Sequence, residues 1–178
     1  GSWILYGLGS ENENLPGFVT INPSGGGGAG IYGSAFLPAS YQGTPVALGR
    51  NQNTSEALPN IRNQRHGDAV QKRQLTLLRQ LERERERQAG RVRDLEGVLE
   101  QYELAFRMQA EVPDVVDLGT EDRKTLEMYG IGEGATDGFG RQCLLARRLA
   151  EEGVRFIELS AGGWDTHRNM REALAGRC

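Results

Sequence analysis

The stretch that most constrains the fold is residues 153–159, Gly153 followed by Val154-Arg155-Phe156-Ile157-Glu158-Leu159. It is a short apolar run of strand formers, and a helical pattern comes just before it. Thr136-Asp137 opens that helix, Phe139, Cys143, Ala146 and Leu149 or Ala150 share one of its faces, and Gly153 closes it. Helix, glycine, then a buried strand is the pattern of an α/β unit feeding a parallel sheet.

The segment after the strand is chemically pointed: Ser160-Ala161-Gly162-Gly163-Trp164-Asp165-Thr166-His167. Ligands of open α/β sheets bind beyond the carboxyl ends of the strands, and paired glycines allow a tight turn there. Asp165 and His167 stand two apart. In an extended loop both side chains project to one side, where a carboxylate oxygen and an imidazole nitrogen can share a cation. Gly163 and Trp164 would shape the pocket beside them. A plainer reading stays open, in which Asp165 caps a following helix and His167 bonds a backbone group.

The rest of the chain divides into three regions of a single partial α/β domain. Residues 1–67 are a glycine-rich strand and loop region, for 12 of the 25 glycines fall in the first 50 residues. Residues 3–8 suit a short helix ended by Gly9, and Phe18-Val19-Thr20-Ile21 reads as a strand. The glycine run at 25–28 is no phosphate-binding loop, because the Lys and Ser or Thr such a loop needs after its glycines are replaced by Ile31-Tyr32.

Residues 68–110 form a helical arm starting at Asp68. Leu75, Leu78 and Leu81 line one face, and Val92, Leu95, Leu99, Tyr102 and Phe106 recur at spacings of three and four. Between these seams Glu82-Arg83-Glu84-Arg85-Glu86-Arg87 offers no apolar face, and Ala89-Gly90 weakens the helix. The pattern predicts two antiparallel helices turning near residues 88–91, with the charged run a solvated tip supported by Glu82–Arg85 and Glu84–Arg87 pairs. Residues 111–178 are then helices, the strand and the candidate metal loop. Pro113 should break the arm's second helix, and Thr120-Glu121-Asp122 should start another that stops at Tyr129-Gly130.

Composition excludes several classes. With 21 Lys plus Arg against 24 Asp plus Glu the net charge is −3, so no basic field holds nucleic acid. No apolar run reaches the roughly 18 residues of a membrane-spanning segment. Two cysteines, Cys143 and Cys178, give neither a disulfide framework nor a paired-cysteine metal site.

The blocks GSWILYGLGSENENLPGFV, YGSAFLPASYQGTPV, YELAFRMQ, FGRQCLLARRL and GVRFIELSAGGWDTH resemble, in order, a bacterial family known as domain of unknown function 1501, grouped with the alkaline phosphatase and sulfatase superfamily. The resemblance implies a partial alkaline phosphatase-like parallel sheet carrying a helical hairpin insertion. It implies a metal-dependent hydrolase ancestry, a small-molecule phosphate or sulfate ester substrate, and a divalent cation, with zinc, calcium and manganese not distinguished. Export through a twin-arginine signal upstream is implied too. Metal ligation carries over to Asp165 and His167 alone. Gly9-Ser10-Glu11-Asn12 and Asn14 match a further family block, read as a loop lining the pocket.

The chain holds just two histidines, His66 and His167, and a catalytic zinc site usually takes three protein ligands. The expectation is therefore a fragment of a metal-dependent hydrolase, inactive alone. The alternative is a noncatalytic interaction module docking a partner along Leu95, Leu99, Tyr102 and Phe106 of the arm. A third reading keeps the fold and drops the chemistry, leaving a carbohydrate or surface binding protein.

Overall fold

A computed structural model describes residues 1–23, 28–48, 61, 63, 65–90, 92–162 and 169–175. Three strands form one sheet in the order β2-β1-β3: β1 (Phe18–Ile21), β2 (Thr44–Val46) and β3 (Phe156–Leu159). Both pairings are parallel, Val19 standing opposite Thr44 and Ile157. All four residues of β1 are buried, as expected of a central parallel strand covered on both faces.

Val19 and Ile21 of β1, with Val46 of β2, point to one face and form a core with partly buried Ile157 and Leu159. Two helices close it. Met108, Val112, Val115 and Val116 come from α3 (Arg93–Val116), and Leu144, Leu145 and Leu149 from α5 (Asp137–Glu151). On the opposite face Phe18 meets Phe156 edge-to-face at 5.3 Å, next to Gly1, which precedes α1 (Ser2–Leu8).

The predicted helix, glycine and strand sequence is present, and its joint is a Schellman motif. Gly153 takes φ 83°, its N–H donates to the Ala150 carbonyl, and the Val154 N–H donates to the Leu149 carbonyl. That left-handed residue turns α5 back into β3, so the two run antiparallel. The α5 face differs from expectation. Its buried positions are Gly140, Gln142, Leu144, Leu145 and Leu149, whereas Phe139 is 47% exposed and Cys143 is half-buried. Gly140 explains the rotation: a Cβ there would overlap the Tyr129 carbonyl oxygen, so the helix seats its bare edge on the turn after α4 (Arg123–Met128).

The arm is an antiparallel hairpin of α2 (Asp68–Ala89) and α3, with Gly90 ending the first helix at φ 83°. Arg85 pairs with Glu82 and Arg87 with Glu84, as the charge spacing predicts. Two expectations need correction. Pro113 does not break α3, which runs through it to Val116 because Val112, Val115 and Val116 bury beneath the sheet and outweigh one lost backbone bond. Nor do Leu78 and Leu81 face inward. Half-buried Gln71, Leu75, Arg79 and Glu82 make the inner stripe of α2, fixed by Gln71–Gln109 and Arg79–Glu103 bonds, and this leaves both leucines exposed.

Arg148 locks α5 to α3, its Nε donating to the Val115 carbonyl at 2.9 Å, Nη2 to Asp114 at 2.7 Å, and Nη1 to Glu121 at 2.8 Å. A cation on carbonyls that lack helical partners is favourable at a helix carboxyl end. Leu145→Ala should cost about 2–5 kcal/mol in urea unfolding through the cavity it leaves, while Arg123→Ala, which truncates an exposed side chain, should shift stability by under about 0.5 kcal/mol.

Candidate functional site

Because the three strands are parallel, their carboxyl ends open on one edge. The exits are Asn22 after β1, Leu48 near β2, and Ser160-Ala161-Gly162 after β3. Asn22 ties two of them together. Its backbone N–H donates to the Val46 carbonyl at 2.8 Å, and its side-chain Oδ1 accepts from the Leu48 N–H at 2.7 Å. The residue sits at φ 46°, a left-handed conformation Asn tolerates better than most side chains.

The first turn of α5 lies at the same edge, since that helix runs antiparallel to β3. There Asp137 accepts from the Gly132 N–H at 2.7 Å and from Arg141 at 2.9 and 3.0 Å. The Arg141 guanidinium, with help from the Gly132 amide, holds its carboxyl below the usual aspartate range.

One polar pair near this edge is not evident from the sequence. Thr20 of β1 stands opposite Glu158 of β3, so the two side chains share the face that carries Phe18 and Phe156. Thr20 is fully buried, and its Oγ1 has no hydrogen-bond partner among the described residues. Glu158 is half-buried. The only signal is a single polar residue at position three of each of two otherwise apolar strands, FVTI and FIEL. An alternating polar residue in a strand reads as solvent-facing, and only the pairing register shows the two to be neighbours.

Gly163, Trp164, Asp165 and His167 lie outside the described residues; β3 delivers the chain to Gly162 at the carboxyl edge of the sheet. Among the described residues no group of three or more His, Cys, Asp and Glu side chains is gathered as a metal site would need. His66 is exposed, in a turn where Asn63 Oδ1 accepts from its N–H at 3.2 Å, and it lines a cavity of about 700 Å³ at the base of the arm. Cys143 is a half-buried thiol that burial pushes up, so it is no activated nucleophile.

The loop at residues 9–14 leads into β1 and therefore lies at the amino end of the sheet, away from the carboxyl edge. Asn12 organises it. Oδ1 accepts from the Asn14 and Leu15 N–H groups at 2.7 and 2.9 Å, and Nδ2 donates to the Glu152 carbonyl at the end of α5. Asn14 donates to Glu111 at 2.9 Å, and Arg107 to the Glu13 carbonyl at 2.7 Å. The cavity this loop lines, about 450 Å³, lies against the arm residues Arg79, Glu100, Glu103 and Arg107. In Glu103 the bound Arg79 guanidinium lowers the carboxyl below its ordinary value. The loop is thus a bracket between sheet and arm, and the cavity it borders lies at the amino end of the sheet, not at the strand exits.

These features define a mixed α/β protein with a small parallel sheet, helices covering one face, and the carboxyl ends of its three described strands on one edge. The family model described as protein of unknown function (DUF1501) matches residues 1–178, and the chain belongs to that family. Comparison with curated proteins yields no match, and comparison with solved structures yields none. No helix among the described residues is long and apolar enough to cross a membrane.

The edge geometry has two testable outcomes. Asn22→Ala should lower stability by about 1–3 kcal/mol, since it removes the Leu48 bond and leaves a Cβ residue with no local polar contact in a left-handed conformation. The depressed Asp137 value makes its contribution fully present above the unfolded aspartate value, about 4, and lost as pH falls through the lower folded value. Asp137→Asn should therefore flatten the acid limb of a thermal-midpoint-against-pH curve.

Proposed function

We propose that the chain is part of a metal-dependent hydrolase of phosphate or sulfate esters with an alkaline phosphatase-like sheet, in which Asp165 and His167 hold a divalent cation. The observation that supports this is the position of β3. It runs parallel to β1, and its half-buried residues bring the chain to Gly162 at the carboxyl edge, one position before the Gly163-Trp164-Asp165-Thr166-His167 segment. That is where α/β sheets carry their ligands.

The donor set fits a cation in part. A carboxylate oxygen and an imidazole nitrogen suit zinc or manganese, and oxygen donors suit calcium. Two donors are fewer than the three protein ligands of a catalytic zinc site. In this reading the remaining ligands and the nucleophile come from a longer, exported protein. Once bound, the cation would polarise an ester oxygen and lower the pKa of a nucleophile. Trp164 would wall the pocket and Gly163 would let backbone approach the ester, beside the exits of β1 and β2 that Asn22 ties together. Glu158, at the third position of β3, is a carboxylate on the strand that carries the site.

The test is calorimetric titration of the chain with zinc, manganese and calcium, beside the Asp165→Ala, His167→Ala double variant. The expected outcome is binding of at least one cation, weakened by more than roughly tenfold in the variant. Unchanged binding, joined with unchanged turnover of aryl phosphates and sulfates by the longer protein carrying both substitutions, overturns the assignment.

A second reading, an interaction surface on the arm, is favoured by one observation. Of the four residues in its seam, Leu99 is buried and Phe106 half-buried, but Leu95 is 37% and Tyr102 57% exposed.

A further inference from the structure

The exposed apolar side chains of the arm are not scattered. On α2 the positions 70, 74, 77, 81, 84 and 88 are all exposed and succeed one another at spacings of four and three, the interval that keeps a stripe on one side of a helix. They are Val70, Gln74, Leu77, Leu81, Glu84 and Gln88. Leu77 is 54% and Leu81 58% exposed, the most open of its leucines. On α3 a second exposed stripe runs through Leu95, Val98 and Tyr102.

Both stripes lie on the same side of the hairpin. At about 100° per residue, the α2 stripe is rotated from the inward residues Gln71, Leu75, Arg79 and Glu82 in the same sense as the α3 stripe is rotated from Leu99, Glu103 and Phe106. In an antiparallel pair, equal senses of rotation bring two stripes to one side. The Arg79–Glu103 pair fixes the level, setting Tyr102 beside residue 79.

We propose that this side of the arm is the interface of a homodimer, two copies of the chain packing their hairpins into a four-helix bundle about a two-fold axis at the level of residue 79 and Tyr102. The proposal rests on the reading of the arm as an interaction surface and names its occupant. Three observations select a second copy. The positions of the α2 stripe are symmetric about residue 79, so a copy turned end over end sets Leu77 against Leu81, Gln74 against Glu84 and Val70 against Gln88. Such self-complementarity is what an isologous interface requires. Its Gln74–Glu84 pair is complementary as well, an amide N–H of Gln74 facing a carboxylate that on its own helix accepts from Arg87 and Gln88 and keeps lone pairs to spare, and the tip at residues 82–87 holds three Glu and three Arg, so two copies are not driven apart. Finally the size suffices. A helix of 22 residues is about 33 Å long and a pair of helices about 20 Å wide, which offers on the order of 600 Å² per copy, at the lower end of stable interfaces. Leucines and Tyr102 lie at its centre and Gln and Glu toward its ends, the usual anatomy of such a contact.

Sedimentation equilibrium of the 178-residue chain across the micromolar range tests this. A dimer is expected, of twice the 19.6 kDa chain mass. Leu77→Glu with Leu81→Glu should raise the dissociation constant by roughly a hundredfold with helical circular dichroism unchanged. Gln74→Glu, which faces Glu84 of the other copy, should weaken it by roughly tenfold, and adding Glu84→Lys should restore it. A dimer indifferent to these variants overturns the proposal. A monomer overturns it too, and an apolar fluorescent dye then separates two cases. Dye binding that falls in the double leucine variant leaves the arm an open docking face, whereas unchanged dye binding removes the interaction reading with it.

Discussion

The structure depends on the burial of β1. Four residues, Phe18 to Ile21, have no face left to water, and a strand in that position must have a hydrogen-bonded neighbour on each edge and a cover on each side. β2 and β3 satisfy the edges, α3 and α5 cover the Val19–Ile21 face, and the Phe18 ring packs on Phe156 and against Gly1. Burying backbone polar groups without partners would cost more than the apolar area contributes. The parallel arrangement is therefore a condition of the core. It also fixes where the carboxyl edge lies, and with it the place to which β3 delivers the residues before Gly163.

Around that strand the connections are held by directed polar contacts. Asn12 gathers the entry loop onto the end of α5, Asn22 ties the exits of β1 and β2, and Arg148 binds the last carbonyls of α3. Each satisfies backbone groups that a helix or strand end leaves unpaired. The outer helix of the arm stands apart from these contacts. Helix α2 contains no buried residue, so its stripe of leucines has no role in the core of a single copy and is free for a contact between copies.

Local sequence carried much of this. The strands at 18–21 and 156–159, the turn at Gly153, the hairpin turn at Gly90 and the Glu82–Arg85 and Glu84–Arg87 pairs all arise from propensity, glycine placement and charge spacing, which act over a few residues. The aspartate and histidine at 165 and 167 are legible as a pair for the same reason, their spacing being a local property, while their surroundings lie outside the described residues. The Thr20–Glu158 pair is not legible, because it arises from the register between strands more than 130 positions apart.

What the sequence determined by itself was the class of the fold and the family, since glycine turns, apolar runs and block order are written along the chain. Which face each helix buries was decided only in three dimensions. Gly140 seats α5 on the Tyr129 carbonyl and rotates it, the pull of the core carries α3 through Pro113, and the Arg79–Glu103 contact turns Leu77, Leu78 and Leu81 outward. The periodicity of a helix says that it has an apolar stripe; the partner it meets decides which of two candidate stripes is covered.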